Sequence, residues 1–368
     1  MIDYRVDLAA RGTSGLGAVI IEDVLGTVGV LEVAPRLMFT DVLNTWGVCE
    51  FTLPIDHASV TRANFALANR EVHVYRNSVF VWGGKLLHAG VDEWGVRFRA
   101  HSWYWDLAAK REVEDDYASQ PVGTKDQFDI VRELVDLTQA EVGGGLGITH
   151  FDLLDSGVAR RLIVCAEERR KVGDVIEELA GATTGFDFNI SPAKVLRLYY
   201  PRRGVTVPVV TLNAATNVSD FSYDEDATDL NTQMAGVGGQ EDCTVPTIYV
   251  TTDAGALATY GLLQDHINPE DRKDDTWLEA STDEALRISK VTRLQPRVAL
   301  PTDLQEVVVD GVAYGAVEVG DEVTMQASRG AVGGFGRFNQ DFRVLSRTVE
   351  VARPGIEKIT FGLDQVIV

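Results

Sequence analysis

The side chains that could do chemistry are few and widely scattered. Glu112, Glu114, Asp115 and Asp116 form a carboxylate cluster just after Lys110-Arg111. Glycoside hydrolysis needs two carboxylates held apart across a bond by rigid elements, whereas this cluster sits in a polar linker. Asp224, Glu225, Asp226 and Asp229 offer the oxygen ligands that calcium takes. They lack the glycine and the closing glutamate of a calcium loop, so a solvated turn is the simpler reading. The six histidines, at 57, 73, 88, 101, 150 and 266, lie too far apart for a local pair at metal-ligand spacing. His73, His88 and His101 fall on predicted strands, where a structural histidine satisfied by its neighbours is expected.

Gly12-Thr13-Ser14-Gly15-Leu16-Gly17 is the nearest approach to a phosphate loop, but it lacks the Gly-Lys-Ser/Thr ending. Gly143–Gly147 and Gly333-Gly334-Phe335-Gly336 likewise read as turns. Neither a G-x-S-x-G elbow nor an H-E-x-x-H pair occurs. Cys49, Cys165 and Cys243 are an odd number without C-x-x-C spacing, and they read as buried thiols, with neither a disulfide framework nor a zinc site indicated. No catalytic, cofactor or metal site is expected.

The whole-chain numbers exclude further classes. At 368 residues, with 45% apolar and 24% charged residues, the chain is long enough for two or three globular domains. Its net charge of −21 works against stable binding to nucleic-acid phosphates and to anionic lipid surfaces. Of the 34 basic residues 8 are Lys, which leaves 34 − 8 = 26 Arg. The N-terminus carries Asp3 and Asp7 and has no apolar stretch of the signal-peptide kind. No run approaches a membrane span.

The elements that must position these residues divide the chain in three. Residues 1–106 read as a first small β-barrel domain. Its strands are expected at 4–8, 18–24, 29–33, 49–53, 71–76, 79–82 with 86–89, and 95–101, with a helical turn or two in 56–69. Asn77-Ser78 and Gly83-Gly84 stand where turns are needed. Residues 107–205 read as an α+β domain. An amphipathic helix over 125–141 starts at a Thr124–Gln127 capping box, and a second helix over 171–183 is capped by Gly185. A hairpin over 186–200 follows.

Residues 206–368 read as a second β-barrel domain with a helical insert near 252–290. Thr276-x-x-Glu279 and Ser281-x-x-Glu284 provide capping boxes for that insert. The domain opens at Asn217–Gly239, read as strand, acidic turn and strand, and strands resume from Val291 to the C-terminus. The fold class is therefore mainly β with an α+β insertion, as two related small barrels flanking an α+β domain. An internal echo supports their relatedness: 71–101 and 317–363 share an order of strand, turn, long strand with a glycine break, turn and closing strand.

The stretch NVSDFSYDEDATDLNTQMAGVGG, together with 70–101 and 314–363, resembles the phage tail hub or minor tail protein family. That family comprises the gp27-like baseplate hubs and the N-terminal part of tail-associated lysins. The resemblance implies a structural protein without enzymatic activity, made in the host cytoplasm and resident in the virion at the tail tip. It implies a homotrimeric ring around the passage for DNA. Its partners would be the distal tail protein, the tape measure protein and a central fibre or spike protein. It also implies that any lysin or fibre domain lies in other chains. Three tryptophans are candidate anchors between subunits: Trp82, and Trp103 and Trp105, which strand alternation would place on one face. Packing at the junction with the next domain is the other reading of that triplet. A carbohydrate-active enzyme or glycan-binding β-domain is the alternative function, since Trp-rich β faces also suit sugars.

Overall fold

The computed structural model describes residues 4–10, 19–21, 37–57, 60, 65–92, 95–115, 117–118, 125–142, 144–160, 162–164, 169–204, 208, 210–238, 247–267, 275–291, 293–300, 308–309, 312–313, 316–327, 338–353 and 356–365. Cys165, Cys243, residues 11–18 and residues 328–337 lie outside them.

The first β region comprises β1 (Tyr4–Ala10), β2 (Val19–Ile21), β3 (Leu37–Val42), β4 (Val48–Leu53), β5 (Arg70–Arg76), β6 (Val79–Asp92) and β7 (Gly95–Ser102). In β4 the alternation is strict, with Cys49, Phe51 and Leu53 buried and Glu50 and Thr52 facing out. Asn77 and Ser78 turn β5 into β6 with φ of 48° and 64°, the left-handed pair that a tight hairpin requires. The turn expected at Gly83-Gly84 is absent, because β6 runs straight through it. A Cβ on Gly83 would stand 2.8 Å from the Pro192 carbonyl oxygen, and one on Gly84 2.3 Å from that of His101. These glycines therefore serve close packing, which a sequence shows no differently from a turn. The described residues of 56–69 contain no helix, and β3 is a strand that the sequence reading missed.

The middle of the chain holds α1 (Tyr104–Ala109), β8 (Tyr117–Ala118), β9 (Lys125–Asp126), α2 (Gln127–Ala140), β10 (Thr149–His150), β11 (Ala159–Arg160), β12 (Ile163–Val164), α3 (Val172–Ala180), β13 (Asp187–Ile190) and β14 (Val195–Tyr199). The Trp103–Trp105 triplet enters a helix, not a strand. Tyr104 and Leu107 turn into a core shared with Phe128, Val131, Val135, Val175 and Ile176. The cap of α2 is Asp126, whose carboxylate accepts from the Phe128 amide at 2.9 Å, so the expected box at Thr124 is corrected by two residues. The third helix ends at Gly181, four residues before the expected cap at Gly185.

The last region runs through β15 (Thr211–Asn213), β16 (Asp220–Asp226), β17 (Gln233–Val237), β18 (Ile248–Thr252), α4 (Ala254–Tyr260), β19 (Gln264–Ile267) and α5 (Asp275–Ser289). It continues with β20 (Arg293–Leu300), β21 (Val308–Val309), β22 (Val312–Ala313), β23 (Glu322–Ala327), β24 (Phe338–Arg353) and β25 (Ile356–Gln365). Asn217–Gly239 is not a hairpin. Asp224–Asp226 belong to β16, which pairs with β20, while β17 joins β18 and β19 in a separate sheet. Thr232 decides the crossing: its hydroxyl donates to Gly261 O at 2.9 Å and accepts from the Leu263 amide at 2.9 Å. The insert is thus a three-stranded sheet carrying two helices. Ser281, expected to cap a helix, lies inside α5.

The two outer β regions share one sheet of 13 strands, in the order β16-β20-β25-β24-β3-β4-β7-β6-β5-β1-β2, with β23 also on β24 and β15 on β23. The seam is β24 against β3, paired antiparallel from Ser346↔Val42 to Val351↔Leu37. The mainly β class with an α+β insertion holds, and the two separate barrels do not. Among the described residues the sheet is open, and it wraps one core. Leu37, Phe39, Phe51 and Phe98 of the first region pack in a cluster with Val349, Phe361, Phe342 and Val298 of the last. Each such side chain contributes about 1.5–3 kcal/mol by burial. Arg76 of β5 reaches Glu357 of β25 with bonds of 2.6 and 3.1 Å, although five strands separate them in the sheet order, so the sheet curls strongly.

Candidate functional site

The most elaborate polar site lies where the three stretches of chain meet. Asn44, in the β3–β4 turn with φ of 58°, donates to Asp187 of β13 at 2.9 Å and accepts from the Phe188 amide at 2.8 Å. Asp187 also accepts from the Arg203 amide at 2.6 Å and forms a two-pronged ion pair with Arg343 of β24. Arg343 donates onward to Arg203 O at 2.9 Å and Gly320 O at 3.3 Å. The carboxylate side chain of Asp187 is only 5% exposed. A charge that deep is tolerable only because it is bonded on every side. One buried carboxylate thus clamps the first β region, the α+β unit and the last β region.

Further pairs repeat the arrangement. Lys194 meets Glu71 at 2.6 Å, Lys85 meets Asp106 at 2.7 Å, Arg202 meets Glu322 at 2.5 Å and Arg203 meets Glu318 at 2.8 Å. Arg203 and Glu318 border a cavity of about 300 Å³, lined among others by Asp41, Ser102, Asn189, Arg197 and Arg347. Burial pushes the Asp41 carboxyl up to about 6, with Glu318 adding to the shift and the Arg347 and Arg203 guanidinium groups opposing it. His101, on β7, is held below its ordinary value by burial and by Arg99.

The tryptophans of the sequence reading have separate fates. Trp82 is core, 1% exposed, and its indole donates to Thr40 O at 3.2 Å. Trp103 is buried at the junction, donating to Pro192 O at 2.8 Å beneath the Lys194 ammonium, 4.4 Å from its ring. Both are therefore spent on contacts within the chain. Trp105 is half-buried on α1, beside Lys110 at 5.4 Å and edge-on to His101 at 5.6 Å.

The other candidates do not converge on a reaction centre. Glu112 bonds Lys171 at 2.6 Å, which holds its carboxyl below the usual range. Glu114 and Asp115 face solvent and Asp116 lies outside the described residues. The backbone of Asp224–Asp226 is strand, and their side chains lie outside the described set, as does that of Tyr223. No cluster of metal-ligating side chains occurs among the described residues. His150 pairs with Asp136 at 2.9 Å and His73 with Glu71 at 3.4 Å. Cys49 is a buried free thiol, pushed up by desolvation. Asn44, Asp187, Arg343 and Lys194 were not singled out from the sequence. Their only signal was a polar residue inside an apolar strand or turn, which many strands share.

This architecture is that of phage tail proteins. The chain superposes on a tail protein of Neisseria meningitidis MC58 with a TM-score of 0.63 at 11% identity, covering 99% of this chain and 97% of that one. It matches the 43 kDa tail protein of prophage MuSo2 from Shewanella oneidensis with a TM-score of 0.64 at 11% identity, over 99% and 98% of the two chains. Prophage tail protein gp18 from Listeria monocytogenes EGD-e follows at 0.56 and 13%, over 98% and 94%. No family model matches the chain, and no curated protein does. No helix among the described residues is long and apolar enough to cross a membrane.

Proposed function

We propose that this chain is a structural component of a phage tail tip, a hub without enzymatic activity. Three copies form a ring that joins the distal tail protein and tail tube to a central fibre or spike. The ring surrounds the passage for DNA and meets the end of the tape measure protein. The observation that carries this reading is a fold shared with tail proteins along 99% of the chain. A load-bearing ring element also needs its parts to move as one body, and the Asn44–Asp187–Arg343 clamp is suited to that. In the same reading, residues 1–106, 107–205 and 206–368 are the three structural parts. Trp105 is a contact between subunits, and the lumen carries acidic or neutral side chains that do not hold the phosphate backbone. The carbohydrate-enzyme alternative is disfavoured by the pairing of Glu112 with Lys171 and by the solvated positions of Glu114 and Asp115.

The test is stoichiometry. Mass measurement on assembled tail tips should count three copies, about 121 kDa from three chains of 40.2 kDa. Six copies, or one, would overturn the ring as stated.

A further inference from the structure

One loop of the α+β unit displays large apolar side chains while being held rigid. Phe151, Leu153 and Leu154 are 63%, 78% and 70% exposed. Arg132, whose side chain is 7% exposed, donates to Leu154 O and pairs with Asp129 at 2.9 Å. Asp126 fastens the far end, accepting from the Ser156 amide at 3.1 Å and the Gly157 amide at 2.8 Å. The near end is fixed by the Phe151 amide to Leu196 O at 2.9 Å, with the Arg197 guanidinium 5.1 Å from the Phe151 ring. Exposed apolar side chains on a loop that has already lost its freedom are what a binding hot spot requires, because little further entropy is lost on docking. The rim of this knob is acidic, with Asp152 and Asp155 3.9–4.0 Å from Arg132.

The complementary feature stands on the same chain. On the solvent face of the main sheet, a concavity of about 360 Å³ is bordered by Met38, Glu50, Thr52, His88, Arg97 and Arg99. Arg97 lies opposite Thr52, and Arg99 opposite Glu50 and His88. The Arg99 side chain is 55% exposed even while it bonds Glu50 at 2.6 Å. Its rim is basic where the knob is acidic, and the arginine stems and Met38 offer apolar walls.

We infer that the Phe151–Leu154 knob of one copy docks into the Arg97–Arg99 concavity of the next, a head-to-tail contact that repeats around a closed ring. This rests on the ring reading above and specifies its interface. A second copy is the occupant because both halves of the charge match are on this chain. Two unlike patches make a heterologous contact, which generates rings. With −21 on each copy, self-association needs opposite charges paired at the contact. Repulsion beyond a Debye length of about 8 Å is screened at physiological salt, so the local match decides.

Sedimentation of the full chain and copy counting in purified tail tips test this with three variants. Leu153→Asp with Leu154→Asp, and separately Arg97→Asp with Arg99→Asp, should each raise the dissociation constant at least about 30-fold and leave the melting temperature within a few degrees. Combining Arg97→Asp and Arg99→Asp with Asp152→Arg and Asp155→Arg should recover about 10-fold of the loss or more. If a variant fails to fold, Leu153→Ser replaces it and must still weaken assembly about 10-fold. Variants that assemble like the wild type overturn the contact while leaving the ring intact. A wild type that stays monomeric even in tail tips overturns the ring, and this contact with it.

Discussion

The meanders β5–β6–β7 and β23–β24–β25 are alike in outline and unlike in what their middle strands do. Each is three antiparallel strands around a long, bulged central one, with register shifts at Leu86/His88 in β6 and at Val344/Ser346 and Val351/Arg353 in β24. Each central strand also sends one cation into the α+β unit: Lys85 to Asp106 of α1, and Arg343 to Asp187 of β13. The difference is the edge. The first half of β6 pairs with β5 and its second half, on the opposite edge, with β7, and no third strand joins it among the described residues. The edge of β24 that holds β23 at one end is left open at the other, and β3 fills it. One unfilled half-edge is enough to fuse two β regions into a single sheet, since a bare strand edge must be paired, covered or charged.

The two cations offer the strongest way to break this comparison. Arg343→Ala should cost about 3–5 kcal/mol, because it leaves the buried Asp187 without its charge partner. Lys85→Ala should cost about half as much, since an ammonium makes a single bond where the guanidinium makes several. Urea unfolding midpoints of the two variants check the order. Equal losses would mean that the two meanders are tied to the α+β unit equally.

Asp41 sharpens the picture of the seam strand β3. Its carboxyl is raised from 3.8 to about 6 in the folded chain. The folded protein therefore holds this proton more tightly than the unfolded one. Its contribution to stability is fully present below pH 4 and is lost as pH rises through 6. Asp41→Asn should be more stable than the wild type at pH 7.5, on the order of 2 kcal/mol, with the gap closing by pH 4. Thermal melts across that range measure it, and a constant gap would contradict the assignment.

The smallest effect belongs to the seam's own side chains. Thr40 and Thr348 exchange a hydroxyl bond of 2.9 Å across β3 and β24. Thr348→Val should cost less than about 1 kcal/mol, because the backbone ladder and the shared core hold the seam. A loss of several kcal/mol in the same melts would show that the hydroxyl pair, and not the ladder, joins the halves.

How much of this the sequence disclosed follows from what each signal encodes. Period-two burial made β4, β5 and β7 legible, and period-3.6 burial made α2 and α3 legible, because both are local. Three-stranded antiparallel meanders within 71–101 and 317–363 were legible for the same reason, although Gly83-Gly84 marks no break in the first. Pairing partners were not legible: β16 looked joined to β17 because they are neighbours in sequence, yet the ladder bonds carry no side-chain information. Gly83-Gly84 read as a turn because close approach and tight turning demand the same missing Cβ. Trp103 read as strand because aromatics favour strands, and tertiary packing of α1 on α3 overrode that preference. The clamp was invisible because Asn44, Asp187 and Arg343 are brought together only by the fold.

The proposed ring-forming role at the tail tip is tested most directly by electron cryomicroscopy of purified tail tips containing this chain. Three copies arranged about the tail axis, each with β3 and β24 paired in one continuous sheet, are the predicted result. A tip in which this chain is absent, or lies off the axis as single copies, would contradict it.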